Sequence, residues 1–187
     1  MSGAGKVRSG TAEKLLYAAA AEFNEQGFDG TDTNRIARRA GFAPQTFYRW
    51  YEDKIDVFIR VYEYWERLEA DLLQDLLEQN AADARVAEAI VAHHKAYLLF
   101  RRSLRLLSLE HPRVRAARAA TRLRQVANVH RLQAPRETAS AEVVAGLLQI
   151  ERLADALAEG EIVDMGLDSR AVWETVAQII HALREPV

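Results

Sequence analysis

The residues best equipped for chemistry lie in one run, Thr33-Asn34-Arg35-Ile36-Ala37-Arg38-Arg39-Ala40-Gly41-Phe42-Ala43-Pro44-Gln45-Thr46-Phe47-Tyr48-Arg49-Trp50-Tyr51-Glu52-Asp53-Lys54. The chemistry they suit is recognition of a duplex nucleic acid. A glutamine amide can pair with adenine through both its oxygen and its nitrogen, and a threonine methyl can meet a thymine methyl. Gln45 and Thr46 stand at the start of a short helix, the end that enters the major groove in helix-turn-helix proteins. Tyr48, Arg49, Lys54 and the Thr33 hydroxyl suit phosphates, which fix register but carry no sequence information. Asn34 suits a base or a phosphate, and Arg38 is the better placed of the Arg38–Arg39 pair for a phosphate. The aromatic residues Phe28, Phe42, Phe47 and Tyr51 have core spacing rather than a base-stacking pattern.

These side chains need rigid elements to hold them. Thr11 can cap a first helix whose Leu15, Leu16, Ala19, Ala20 and Phe23 recur at helical spacing until Gly27 stops it. Thr33 can cap a second, with Ile36, Ala37 and Ala40 facing inward. Gly41 supplies a left-handed turn position that costs glycine little. Pro44 fits the first position of a third helix, where a missing N–H matters least, and Asp53 can cap a fourth. Residues 1–10 read as a disordered arm, 11–55 as a DNA-binding domain and 56–187 as a helical body.

In this arrangement Phe23, Gly27, Phe28, Thr33, Ile36, Ala37, Ala40, Gly41, Thr46, Phe47, Tyr48 and Lys54 match the head pattern of the tetracycline-repressor (TetR) family, which residues 11–58 resemble. The resemblance implies phosphate contacts by Thr33, Tyr48 and Lys54 and base contacts by Asn34, Gln45 and Thr46. It implies a repressor released from a palindromic operator by a small-molecule effector. Two positions depart from the pattern: Ala43 stands where a capping Ser is frequent, and Trp50 where a His is common.

The rest of the chain is expected to be all-α, with roughly nine helices, since no segment alternates with period two for long enough to form a sheet. Phe58, Val61, Tyr62, Trp65, Leu68, Leu72 and Leu76 mark a long fourth helix. Another runs from about Asp83 to Ser108, and His111-Pro112 ends it. Val143, Leu147, Ile150 and Leu157 form a four-three seam, and Val172, Val176, Ile179 and Leu183 line a last helix that Ser169 can cap. Because one short helix reads too few base pairs to select a site, a homodimer is expected, and these two helices either pair with their copies or seal the subunit's own core. The resemblance favours the pairing of copies, with Gly146 allowing close approach, and places an effector pocket in the body, for which Tyr62, Trp65, Tyr97, Phe100 and Trp173 are the candidate walls, with ordinary core as the alternative reading of each. Adjacent His93 and His94 cannot form an i, i+4 metal pair and read as a solvated polar face.

Composition limits the alternatives. The chain has no cysteine, a net charge of −2 and 49% hydrophobic residues, which excludes disulfide staples and thiolate metal sites. Residues 1–54 hold eight Lys or Arg against seven Asp or Glu, so the basic character of the head is local. Residues 101–136 hold ten arginines and one acid, and residues 137–187 hold ten acids and three arginines. That asymmetry reads as paired or solvated helix faces. Neither a membrane span nor a secretion signal is expected, which gives a cytoplasmic protein. No Gly-rich phosphate loop, paired metal motif or G-x-S-x-G element marks an enzyme, and no cofactor or metal is expected. The competing class is a helical ligand-binding or interaction protein with a vestigial head.

Overall fold

The computed structural model describes residues 3–134 and 138–185, with side chains from Gly10 onward. The described residues form ten α-helices and no strand: α1 Gly3–Gln26, α2 Thr33–Arg39, α3 Pro44–Phe47, α4 Lys54–Glu78, α5 Asp83–Ala96, α6 Leu98–Glu110, α7 Pro112–Gln133, α8 Ser140–Glu159, α9 Glu161–Asp164 and α10 Arg170–Arg184. They make two compact units. The first holds residues 1–66 with 99–117, and the second holds 67–98 with 118–187. The division between these units falls inside α4, and α6 from Leu99 onward groups with the first.

The first unit is built on α1. Leu15, Ala19 and Phe23 are fully buried, as their spacing predicts. Phe23 meets Phe58 edge-on at 5.1 Å between ring centres, and Phe28 meets Phe58 edge-on at 5.3 Å. Phe58 in turn stacks on Phe100 at 4.6 Å, and Trp65 meets Phe100 edge-on at 4.0 Å. Full burial of such a ring contributes about 1.5–3 kcal/mol, so Phe23, Phe58 and Phe100 hold α1, the first part of α4 and α6 together within this unit. The helix α1 already runs at Gly3, so residues 3–10 continue it instead of forming an arm and Thr11 lies inside it. Residues 1 and 2 lie outside the described residues.

Caps set where the short helices begin. The cap of α2 is Asp32, whose Oδ1 accepts the Arg35 N–H at 2.8 Å, one residue before the expected Thr33. At Gly41, φ is +80°, and the Phe42 N–H reaches back to the Ala37 carbonyl at 2.9 Å. This is the six-to-one closure that lets a glycine end a helix. Ala43 gives α3 no side-chain cap, as expected, and Pro44 opens it. Asp53 caps α4 through the Asp56 N–H at 2.7 Å, and Asp56 accepts the Glu52 N–H at 3.1 Å in return.

The second unit packs α5, α8 and α10 around Val86, Ala87, Ile90, Val91, Ile150, Ala154, Ala158, Val176 and Ile180. Gly146 is part of this packing: a Cβ there would lie 3.3 Å from a Leu183 methyl and 3.4 Å from an Ile179 methyl. The glycine therefore serves the contact of α8 with α10 within one protomer. Three expectations fail locally. The helix expected to run from Asp83 to Ser108 breaks at Tyr97, which leaves the helical region at φ −120° and ψ 34°. The stretch between Gly160 and Gly166, expected as a loop, carries the single turn α9. Ser169 makes no capping bond to α10; Asp168 Oδ1 accepts the Arg170 N–H at 2.9 Å.

Candidate nucleic-acid interface

The turn at Gly41 separates two faces of the α2–α3 pair. On the inner face Ile36, Ala37 and Phe47 are fully buried. The Phe47 ring packs against Tyr51 at 5.5 Å between ring centres. The Tyr51 hydroxyl donates to the Ala12 carbonyl at 3.0 Å, and burial pushes its pKa up to about 12. The outer face carries Asn34, Arg38, Gln45, Tyr48 and Arg49, all exposed, with Thr33 and Thr46 half-buried beside them. Phe28 and Phe42 are half-buried, consistent with packing rather than base stacking.

Two hydroxyls converge on that outer face. Thr33 Oγ1 and Tyr48 Oη lie 3.0 Å apart, although they are fifteen positions apart in sequence. A hydroxyl both donates and accepts, so the pair can hold one orientation together and still offer a donor to an anion. Freed from capping α2 by Asp32, Thr33 is available for this role.

The arginines of α2 divide. Glu22 of α1 is buried and accepts from Thr31 Oγ1 at 2.6 Å and from Arg39 Nη1 at 3.1 Å, with Arg35 Nε at 3.6 Å. Arg39 also binds Glu25 through both terminal nitrogens, one of them at 2.7 Å. The hydrogen bond from Arg39 holds the Glu25 carboxyl below the ordinary carboxylate range, and the same bond raises the Arg39 guanidinium. Arg35 Nη1 donates to the Gly30 carbonyl at 3.2 Å. This network locks α2 onto α1 and leaves exposed Arg38 outside it among the described residues. Sequence reasoning missed Glu22, because its partners lie nine to seventeen positions away and no local pattern joins them.

Lys54 departs from expectation. Its ammonium is turned inward, donating to the Phe28 carbonyl at 2.9 Å and the Thr31 carbonyl at 3.0 Å, and it lies 4.0 Å from the centre of the Phe28 ring. Near it, Asp53 and Glu52 meet Arg113, with Arg113 Nη1 to Asp53 Oδ2 at 2.7 Å.

The other expected sites also move. Val143, Ile150 and Val176 are buried inside their own protomer, and Leu157, Ile179 and Leu183 pack against the same core. A side chain closed off in one chain has no surface for a second copy; Leu147 and Val172 remain half-buried. Tyr62, Trp65 and Phe100 are core residues of the first unit, whereas Trp173 packs on the core of the second and Tyr97 lies with its ring centre 4.7 Å from that of His93. These five therefore do not converge within one unit. His94 is 3% exposed, not a polar-face residue: Nδ1 lies 2.8 Å from Asp155 and Nε2 3.6 Å from Glu69. A histidine inside an apolar-looking helix carried no sign of this, since both acids come from other helices. Arg118 and Arg122 both pair with Glu151, which accounts for part of the arginine-to-acid asymmetry.

Comparison with known proteins fits this head. Residues 15–61 match the family of bacterial regulatory proteins of the tetR type. Over 68 residues the chain is 31% identical to an uncharacterised HTH-type transcriptional regulator, YdgC of Bacillus subtilis (strain 168). That stretch is 36% of this chain and spans only 35% of the relative. Among solved structures, a TetR-family transcriptional regulator from Rhodococcus sp. superposes with a TM-score of 0.72 at 15% identity, over 94% of this chain and 99% of the other. One from Mesorhizobium loti MAFF303099 gives 0.65 at 17% identity, over 92% and 94%. The fatty acid degradation regulator FadR from Bacillus halodurans gives 0.63 at 13% identity, over 94% and 95%. At these identities the structures share a fold, while the head is matched in sequence as well. The glycine turn, the buried Phe47 and the outward Thr33–Tyr48 pair are therefore features of a head that matches the tetR family model over residues 15–61.

Proposed function

We propose that this protein is a sequence-specific DNA-binding transcriptional regulator that acts as a homodimer on a palindromic operator. The observation that carries the reading is the outer face of α2 and α3, where the Thr33 and Tyr48 hydroxyls meet at 3.0 Å beside exposed Gln45 and Arg49. Gln45 and Thr46 read base edges in the major groove, with Asn34 at the margin. Thr33, Tyr48, Arg38 and Arg49 bind the flanking phosphates. Arg35 and Arg39 hold the head together instead of binding DNA.

The dimer forms through the outer faces of α8 and α10, since their inner faces are occupied by the protomer's own core. On α8 that outer face carries Ala141, Ala145, Leu148 and Gln149, and on α10 it carries Ala171, Thr175, Gln178 and Ala182, all exposed. Small residues with one large apolar side chain, Leu148 at 50% exposure, suit helix-on-helix packing between copies. Binding of a small-molecule effector to the body releases the operator, which requires that the effector favour the conformation with low DNA affinity. Repression is the corresponding regulatory sense. No helix among the described residues is long and apolar enough to cross a membrane, in keeping with a regulator that meets DNA directly.

The test is selection from a pool of random duplexes. The expected result is an enriched site with two-fold symmetry whose half-sites lie about one helical turn apart or a multiple of it. Recovery of no enriched sequence overturns the reading and favours a helical interaction protein with an inert head.

A further inference from the structure

The ammonium of Lys54 has three N–H donors, and the structure accounts for the directions in which they act. Two reach the carbonyls of Phe28 and Thr31, at 2.9 and 3.0 Å, and the group also sits against the face of the Phe28 ring. Lysine carries three donors and no acceptor, so two carbonyls and an aromatic face are a full set of partners. The carbonyls belong to the loop between α1 and α2, and that loop ends in Asp32, the cap of α2. Immediately beyond the cap stands Thr33, whose hydroxyl meets Tyr48. Burial also draws the Lys54 pKa below the ordinary lysine value, against the pull of Asp29 and Asp32, which accords with an ammonium facing inward.

We infer that Lys54 is a positioning residue: it staples the α1–α2 loop to the first turn of α4 and thereby sets where α2 begins, without binding a phosphate itself. The inference rests on the DNA-binding reading for its functional consequence but not for its structural content. A phosphate would have to displace a backbone carbonyl from Lys54, whereas Arg38 and Arg49 are exposed and can reach one at no such cost.

The experiment compares wild type, Lys54→Met and Lys54→Arg on two duplexes, the one recovered by selection and an unrelated one of equal length, across a salt series. Lys54→Met keeps the stem but loses the ammonium. It is expected to weaken both duplexes in parallel, by about tenfold as for loss of a charge-assisted hydrogen bond, and to leave the slope of log affinity against log salt unchanged. If Lys54 bound a phosphate, the slope would shallow by about 0.9 for each head. Lys54→Arg retains charge in a planar fork that cannot serve two carbonyls and a ring together. It should lose affinity at an unchanged slope; full affinity in Lys54→Arg overturns the staple, also in the event that Lys54→Met does not fold. If wild type binds neither duplex, the regulator reading fails separately. Amide exchange then decides the staple, since Lys54→Arg should exchange faster than wild type over residues 31–35, and unchanged rates there overturn it.

Discussion

The division of the head's cations gives a quantitative prediction about salt. Arg38 and Arg49 are exposed, Arg35 and Arg39 are held around Glu22, with Glu25 as a second partner of Arg39, and Lys54 faces two carbonyls. Among the described residues of the α2–α3 face, each head therefore offers two free cations to phosphates, and a symmetric pair offers four. At a slope of about −0.9 for each neutralised phosphate, log affinity should fall against log salt with a slope of about −3.6, or about 150-fold between about 50 and 200 mM salt. Were Arg35, Arg39 and Lys54 also free, ten cations would give a slope of about −9 and a loss of about 10⁵-fold. The perturbation is Arg49→Gln, which removes one cation from each head and should bring the slope to about −1.8. Arg39→Gln, which removes a cation already paired with Glu22 and Glu25, should leave the slope where it was. Fluorescence anisotropy on a labelled duplex across a salt series measures all three. A wild-type slope steeper than about −6, or a shallower slope in Arg39→Gln, would refute the division.

Three other outcomes are expected. Gln45→Ala should flatten the preference at one base pair of each half-site by about 1–3 kcal/mol, read by competition between duplexes, with little change on an unrelated sequence. Leu148→Glu should give monomers by sedimentation with the helical content kept, because this side chain is 50% exposed in the protomer; a persistent dimer would place the interface elsewhere. Burial raises the Asp53 carboxyl, but the Asp56 N–H and Arg113 together outweigh it and leave the pKa below the ordinary value. A depressed pKa contributes stability that is present above the unfolded value and lost as pH falls through the folded one. Asn caps a helix as well as Asp, so Asp53→Asn should melt lower than wild type at neutral pH, with the gap closing in acid. A constant gap across pH would mean that the charge on Asp53 has no part in it.

Much of the head was legible because its signals are local. Gly41, Pro44 and Asp53 act within a few residues of themselves, and all three do what their chemistry dictates. Asp32 was legible too, since aspartate outranks threonine as a cap, yet Thr33 stood at the expected position and drew the assignment one residue too far. The break at Tyr97 was not legible: neither glycine nor proline marks it, and the apolar repeat runs straight through.

The sequence by itself determined the helical class, the turn, and the set of polar side chains gathered around that turn. Periodicity and caps suffice for this, because they are properties of neighbours along the chain. Only the tertiary structure decided what those side chains face. Glu22 takes Arg35 and Arg39 out of the candidate contacts, two carbonyls turn Lys54 inward, and the seam of Val143, Ile150 and Val176 closes on its own protomer. His94 is buried between two acids from other helices. In each case the partner lies on a different helix, and a one-dimensional pattern records which face a residue occupies but not what that face meets.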